Sequence, residues 1–181
     1  MLKIKKIINS LFYYFLYKLL YYKKLNINIS NIIDGKLFIK IKNGAKCYIG
    51  KGLCSDGPLY LKCEANSRIS IGQNCYFNHN CSITSLESIE IGNNCMFGNN
   101  VTIVDHNHKM ENNSICNNKF DTSKIKIGNN VWIGANTVIL KGVTIEDNSV
   151  VAAGAVVNKN IGKNEIWAGV PAHYIKTTKI K

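Results

Sequence analysis

Apolar residues recur every sixth position along much of this chain, and few folds accept that period. Ile71, Phe77 and Ile83, then Ile91, Phe97 and Ile103, then Ile127, Ile133 and Ile139 each advance by six, and the last series continues through Ile145, Val151 and Val157. Neither the helical period of about 3.6 nor the strand period of about two produces this spacing. It fits short strands joined by tight turns, one inward apolar residue per face and three faces to a coil of about 18 residues. Gly, Asn and Ala beside the apolar positions tolerate the turn conformations that other side chains resist. Stacked coils then share one continuous core. Superimposing IGQNCYFNHNCSI (71–83), IGNNCMFGNNVTI (91–103) and IGNNVWIGANTVI (127–139) predicts ladders of like residues, with Asn74 over Asn94 over Asn130 and Cys75 over Cys95.

The irregular steps are equally informative. Ile71 to Ile91 spans 20 residues, two more than one coil, which places a small bulge near Ser85 to Ser88. Ile91 to Ile127 spans 36, so about 18 residues between Val104 and Lys126 are surplus, and a loop ejected from the coil is expected at about 104–126. Structureless loops of that length are uncommon in compact domains and are usually functional or disordered. This one holds Asp105, His106, Asn107 and His108. Upstream, Lys36 to Ile41, Cys47 to Gly50 and Leu59 to Leu61 read as strands of less regular first coils. Downstream, Ile166 to Ala172 ends the repeat, and Pro171 suits a chain leaving the coil. The expected division is a helix over 1–25, a β-helix over 26–170 and a tail over 171–181.

The first 24 residues differ in kind. Ile4, Ile7, Ile8, Leu11, Phe12, Phe15, Leu16, Leu19 and Leu20 recur at spacings of three and four, the pattern of an amphipathic helix, and five tyrosines from Tyr13 to Tyr22 widen the apolar side. Lys3, Lys5, Lys6, Lys18, Lys23 and Lys24 stand there without one acid, so this segment supplies half of the chain's formal net charge of +12. Its apolar run is shorter than the ~20 residues of a membrane span, and no small-residue cleavage site follows. Two arrangements stay open: the helix lies in a membrane interface with lysines and aromatics at headgroup depth, or it packs its apolar stripe on the end of the coil.

At 181 residues the chain fits one domain. Its positive field attracts phosphates, nucleic acid or an anionic surface, but no nucleic-acid motif is present, and nucleic-acid binding is not expected. Seven cysteines form no CxxC pair and no zinc-ligand spacing, so they read as small, buried, reduced side chains, no metal is expected, and a cytoplasmic location follows.

The run IGNNVWIGANTVILKGVTIEDNSVVAAGAVVNKNIGKNEIWAGVPAHYIK resembles the C-terminal half of hexapeptide-repeat acyltransferases, the galactoside and maltose acetyltransferases in particular. TIVDHNHKM resembles the active-site loop of the O-acetyltransferases that act on bacterial polysaccharides. The resemblance covers residues 36 to 176 and implies an all-β fold, a left-handed parallel β-helix, here preceded by a short amphipathic α-helix. It also implies a homotrimer with active sites between subunits, acetyl-CoA as donor, and a sugar or glycan hydroxyl as acceptor, in a cell-surface polysaccharide or its lipid-linked precursor. An interfacial N-terminal helix at the inner face of the membrane would suit such an acceptor.

Acetyl transfer to an alcohol needs a base for the hydroxyl proton, and histidine, with an ordinary pKa near ~6.5, is suited to that task. By resemblance that base is His106, with His108 the nearest rival and Asp105 as an orienting or acceptor-binding carboxylate. Asn78, Asn80 and His108 are the expected acceptor contacts. For coenzyme A the resemblance points to Trp132, Gly134, Ala135, Ala153 and Gly154 along a groove between the last coils, and to Asn158, Lys159 and Lys176 near its phosphates. Relatives often place Arg at the last position, and Lys176 offers a point charge in its stead. An amino-sugar N-acetyltransferase and a non-enzymatic solenoid are the rivals. A zinc enzyme on this coil would need three convergent histidines, and the one-residue gap between His106 and His108 does not suit it.

Overall fold

The computed structural model describes residues 2–178, with the side chains of residues 2 and 3 left aside. A helix, Leu2–Leu20, leads into a parallel β-helix of three faces. The first face stacks six strands from Leu25–Ile27 to Thr144–Ile145. The second runs from Ile32–Ile33 through Tyr76–Phe77, Met96–Phe97 and Trp132–Ile133 to Glu165–Gly169. The third stacks six strands from Leu37–Ile41 to Val156–Val157.

Register follows the six-residue reading where the sequence is regular. Phe77, Phe97, Ile133 and Val151 lie in one pairing line, all buried, and the Phe77 and Phe97 rings stack at 4.4 Å. Burying each such side chain is worth about 1.5–3 kcal/mol. The first coils are longer: Leu25 pairs with Cys47 and Cys47 with Ile69, a 22-residue step each. Five-residue strands such as Leu37–Ile41 and Leu59–Cys63 on the third face take up the extra length.

Asparagine makes the corners. Every non-glycine residue with positive φ among the described residues is Asn, Asn80, Asn100 and Asn136 among them. Other L-residues would meet a penalty of about 1–2 kcal/mol in that conformation. Of the predicted asparagine ladder, Asn74 donates to Asn94 at 3.3 Å, while Asn130 donates onward to Asn148 at 3.2 Å. A further ladder, not expected from the sequence, joins Asn80 to Asn100 and Asn100 to Asn136 at 2.9 and 2.8 Å. Glycine serves a different need at Gly92, where a Cβ would stand 2.5 Å from the Gly128 carbonyl oxygen of the next coil.

Two expectations change. Cys54 and Cys116 are only half-buried, although the other five cysteines are buried as expected and all seven are free thiols. The C-terminal segment does not simply leave the coil. Glu165–Gly169 adds a strand beside Val150–Val151, and the chain turns at Val170–Pro171 to return as an antiparallel strand, Ala172–Thr177.

The helix packs on the first coil, but not through its aliphatic stripe. Strands Ile32–Ile33 and Leu37–Ile41 are sheet edges, and edge backbone groups need partners. The Tyr17 hydroxyl donates to the Leu37 carbonyl at 2.7 Å and accepts from the Ile39 N–H at 3.1 Å. Ser10 accepts from the Ile33 N–H, and Asn9 donates to the Ile33 and Gly35 carbonyls. Polar and tyrosine side chains therefore face the coil, while Ile4, Ile8, Phe12, Phe15 and Leu19 point to solvent, each at least 58% exposed.

Candidate active site

The surplus residues are not a structureless loop. His106–Glu111 and Ser114–Thr122 pair as an antiparallel hairpin, turned by Asn112 and Asn113, both at positive φ. Two successive left-handed residues suit the tight turn that matches strand twist, and the Asn-Asn pair is the sequence signal that announces it. The hairpin's neck is closed by the Ser123 N–H donating to the Asp105 carbonyl at 2.9 Å. Lys141, on the next coil, holds Asp121 at 2.8 Å. That lysine depresses the Asp121 carboxyl below its ordinary range.

Asp105 is fully buried and serves the two-residue bulge. Its carboxylate accepts from the Leu86 N–H at 2.8 Å, the Glu87 N–H at 2.9 Å and the Ser85 hydroxyl at 2.7 Å. The bulge and the hairpin thus brace each other across one carboxylate.

His106 and His108 alternate onto one face of the hairpin, and both rings contact Phe120, with centroids at 5.6 and 4.7 Å. Their hydrogen bonding differs. His106 Nδ1 lies 3.4 Å from Asp105 Oδ1, beyond an ordinary hydrogen bond. His108 Nδ1 lies 3.0 Å from the Cys116 carbonyl oxygen. A carbonyl can only accept, so Nδ1 carries the proton there and Nε2 of a neutral ring is left with a free lone pair. That is the tautomer a general base needs.

A cavity of about 690 Å³ lies along the second face and its corner with the third. Trp132, Gly134, Ala135 and Ala153 line it, as the sequence predicts for the donor, and so does Asn78, expected at the acceptor. Gly134 permits the coils to close up, since a Cβ there would meet the Ala153 nitrogen at 2.4 Å. Tyr76, Met96, Asn99 and Val150 line it too and escaped the sequence reading. The signal was present: Tyr76, Met96, Trp132 and Val150 each immediately precede an inward residue and stack in one outward line. The Tyr76 hydroxyl donates to Asp56, which pushes its pKa up to about 12.

Other predicted residues stand apart from the cavity. Asn80 spends its amide in the corner ladder. Gly154 follows Ala153 at positive φ, and Asn158 and Lys159 lie exposed at the next corner. Lys176 pairs in register with Ile166 on the returning strand.

None of the cavity's lining residues comes from the hairpin. Within a coil, Asn78 precedes the third-face strand Cys81–Ser85 and the bulge bound to Asp105 follows it. Five residues of strand separate the two corners by roughly 16 Å. A single chain therefore carries a groove and a pair of imidazoles at different corners.

Family models for the bacterial transferase hexapeptide (six repeats) and for the hexapeptide repeat of succinyl-transferase match residues 124–159 and 68–104. The chain is 39% identical over 128 residues to the galactoside O-acetyltransferase of Escherichia coli (strain K12), covering 71% of this chain and 62% of that protein. It is 32% identical over 145 residues to WbbJ of the same organism, provisionally named as a lipopolysaccharide biosynthesis O-acetyl transferase, covering 75% of this chain and 74% of that one. A solved galactoside acetyltransferase in complex with coenzyme A superimposes with a TM-score of 0.59 at 37% identity, covering 69% of this chain and 64% of that one. The chain thus spans less than two thirds of the length of the galactoside enzymes it matches.

Proposed function

Because the chain belongs to the hexapeptide-repeat acyltransferase family, we propose that it transfers an acetyl group from acetyl-CoA to a hydroxyl of a sugar, by direct attack with a hairpin histidine as general base. The acceptor class we assign is a cell-surface polysaccharide or its lipid-linked precursor, met at the inner face of the membrane. Its support is the similarity to WbbJ and the DHNH sequence of the hairpin.

The observation that carries the reading is the ring of His108, whose Nδ1–H is committed to the Cys116 carbonyl. Its Nε2 would take the acceptor's proton as the oxygen attacks the thioester carbonyl. When the carbon–sulfur bond breaks, the imidazolium would return that proton to the departing sulfur, and coenzyme A would leave as the thiol. Resemblance alone assigns this role to His106. The 3.4 Å separation of His106 from Asp105 leaves its tautomer unset, and we therefore give His106 a positioning role beside the acceptor. The developing oxyanion needs an N–H donor, for which backbone groups of a neighbouring coil are available.

Acetyl-CoA fits the cavity in kind. Its pantetheine arm is narrow and amide-bearing, and the small side chains at Gly134, Ala135 and Ala153 leave the groove open to receive it. Asn158, Lys159 and Lys176 are assigned to its phosphates, where exposed cations favour a multiply charged anion.

Separation of cavity and hairpin within one chain argues for an assembly in which one subunit's hairpin meets a neighbour's cavity, and we assign a homotrimer. The exposed Met96 and Trp132 on the second face, 50% and 52% accessible, give such a neighbour an apolar surface to cover.

The test is incubation with labelled acetyl-CoA and a panel of lipid-linked glycans, free sugars and amino sugars. The expected product is a base-labile ester on a sugar hydroxyl. A base-stable amide on an amino sugar would overturn the acceptor assignment, and no transfer to any member would overturn the activity.

A further inference from the structure

The outward face of the N-terminal helix is unusual for a protein surface. Ile4, Ile7, Ile8, Phe12, Phe15 and Leu19 are 58–83% exposed along one side, although the helix already fulfils its packing role through Tyr17 and Ser10 on the other. Contiguous apolar surface of this kind marks an interaction site. It does not end with the helix. Ile7 and Leu11 line a groove of about 430 Å³ together with Ile29 and Ile32 of the first coil, so the apolar surface continues onto the end of the β-helix. Asn31 lines the same groove while 5% exposed, and its amide nitrogen has no hydrogen-bond partner among the described residues.

Charge borders this surface. At the C-terminal end of the helix, Lys18, Lys23, Lys24, Lys46 and Arg68 line a second hollow of about 430 Å³, into which Tyr22 and Tyr48 also face. No Asp or Glu lines it, and none of the five cations pairs with a carboxylate among the described residues. By contrast Lys6, on the coil-facing side, is satisfied by Asp34 at 2.7 Å.

We propose that the exposed helix face, the groove beside it and the basic hollow at its end form one docking surface for an anionic phospholipid bilayer. The helix lies in the plane of the interface with its aliphatic and phenylalanine side chains among acyl chains, while the basic hollow receives headgroup phosphates. Apolar exposure alone would suit a second copy of this chain equally. Charge decides between them: residues 1–24 carry six lysines and no acid, so two such faces would repel each other, and an anionic surface complements them. No helix among the described residues is long and apolar enough to cross a membrane, in keeping with a helix lying along one. The surface deepens the proposed choice of a lipid-linked acceptor, by holding the enzyme where such an acceptor resides, and it rests on that reading only for its purpose.

The experiment is vesicle co-sedimentation of the full chain with neither donor nor acceptor present, so its outcome is independent of the transfer reaction. Vesicles of phosphatidylcholine alone are compared with vesicles that also contain phosphatidylglycerol, at low and high salt. We expect binding to the anionic vesicles at least tenfold tighter than to the neutral ones, weakened by salt. Two variants, Phe12→Ser with Phe15→Ser and Leu19→Ser, and Lys18→Gln with Lys23→Gln and Arg68→Gln, should each lose at least tenfold. Both should keep wild-type melting temperatures and wild-type acetyl transfer to a soluble sugar, because neither touches the cavity or the hairpin. Equal binding to both vesicle types, or unaltered binding by either variant, would overturn the proposal. So would dissociation of a lipid-free oligomer by the serine variant, which would assign the face to a second copy.

Discussion

Replacing His108 with alanine is expected to lower kcat for acetyl transfer by about 10²–10⁴-fold, the usual contribution of a positioned general base, while leaving acetyl-CoA affinity close to wild type. The expectation follows from two distances. The Cys116 carbonyl lies 3.0 Å from His108 Nδ1 and, in the neutral ring, selects the tautomer that leaves the Nε2 lone pair free. Asp105 lies 3.4 Å from His106 Nδ1 and is already engaged by Ser85, Leu86 and Glu87. His106→Ala should therefore cost less, within about tenfold, through lost packing on Phe120 and a looser acceptor. Donor affinity separates chemistry from binding, because the cavity shares no residue with the hairpin. If His106→Ala shows the large loss and His108→Ala the small one, the base is His106, and the Asp105 carboxylate orients it in the working complex.

Asp105→Ala should have the largest effect on stability, about 2–5 kcal/mol, since two backbone donors each lose a partner at a cost of about 1–3 kcal/mol. The carboxylate is fully buried and accepts from two backbone N–H groups and one hydroxyl. Alanine strips the Leu86 and Glu87 N–H groups of this partner, while the Ser85 hydroxyl retains the Arg68 carbonyl at 3.1 Å. For a domain of this size, that corresponds to a fall in Tm of about 10 °C. Asp105→Asn keeps one oxygen but turns a donor toward another, and should fall between. Thermal unfolding at fixed protein concentration checks this. A variant that melts like wild type yet transfers no acetyl group would return Asp105 to the chemistry and remove it from the frame.

Most of the coil was legible because its physics is periodic. From Ile71 onward one bulky apolar residue recurs every six, and departures of two and 18 residues from that period mark the bulge and the hairpin. Each face also buries a second residue two positions earlier, such as Ile69 before Ile71 and Cys75 before Phe77, which the six-residue period alone does not show. The first coils were faint because five-residue strands such as Leu37–Ile41 stretch their step to 22 and break the period. The hairpin is faint in the sequence because His106, His108 and Met110 give no apolar alternation, and only Asn112-Asn113 marks its turn. Facing of the helix was hidden for a different reason. Hydrophobicity orients a helix toward a core, but here the neighbour is the edge of a sheet, where unpaired backbone groups select Asn9, Ser10 and Tyr17 over Ile8 and Phe15.

The candidate site divides along the same line. Trp132, Gly134, Ala135 and Ala153 were readable because they sit in the regular coils, whereas Tyr76 and Met96 are recognised only once stacking places them in line with Trp132. Choosing between His106 and His108 required the Cys116 carbonyl, a backbone atom eight residues from His108 that no side-chain pattern encodes.

Central to this account is that hairpin and cavity complete one active site from two different chains. Subunit mixing tests it most directly. His108→Ala removes the base, and Ala153→Trp, at an exposed position lining the groove, blocks the donor. Each alone should be inactive. Refolded together in equal amounts as mixed trimers, they should recover about a quarter of wild-type activity, since each mixed trimer has one interface where an intact hairpin meets an intact cavity. Mixed trimers as inactive as either parent would show that each chain completes its own site, and would contradict the account.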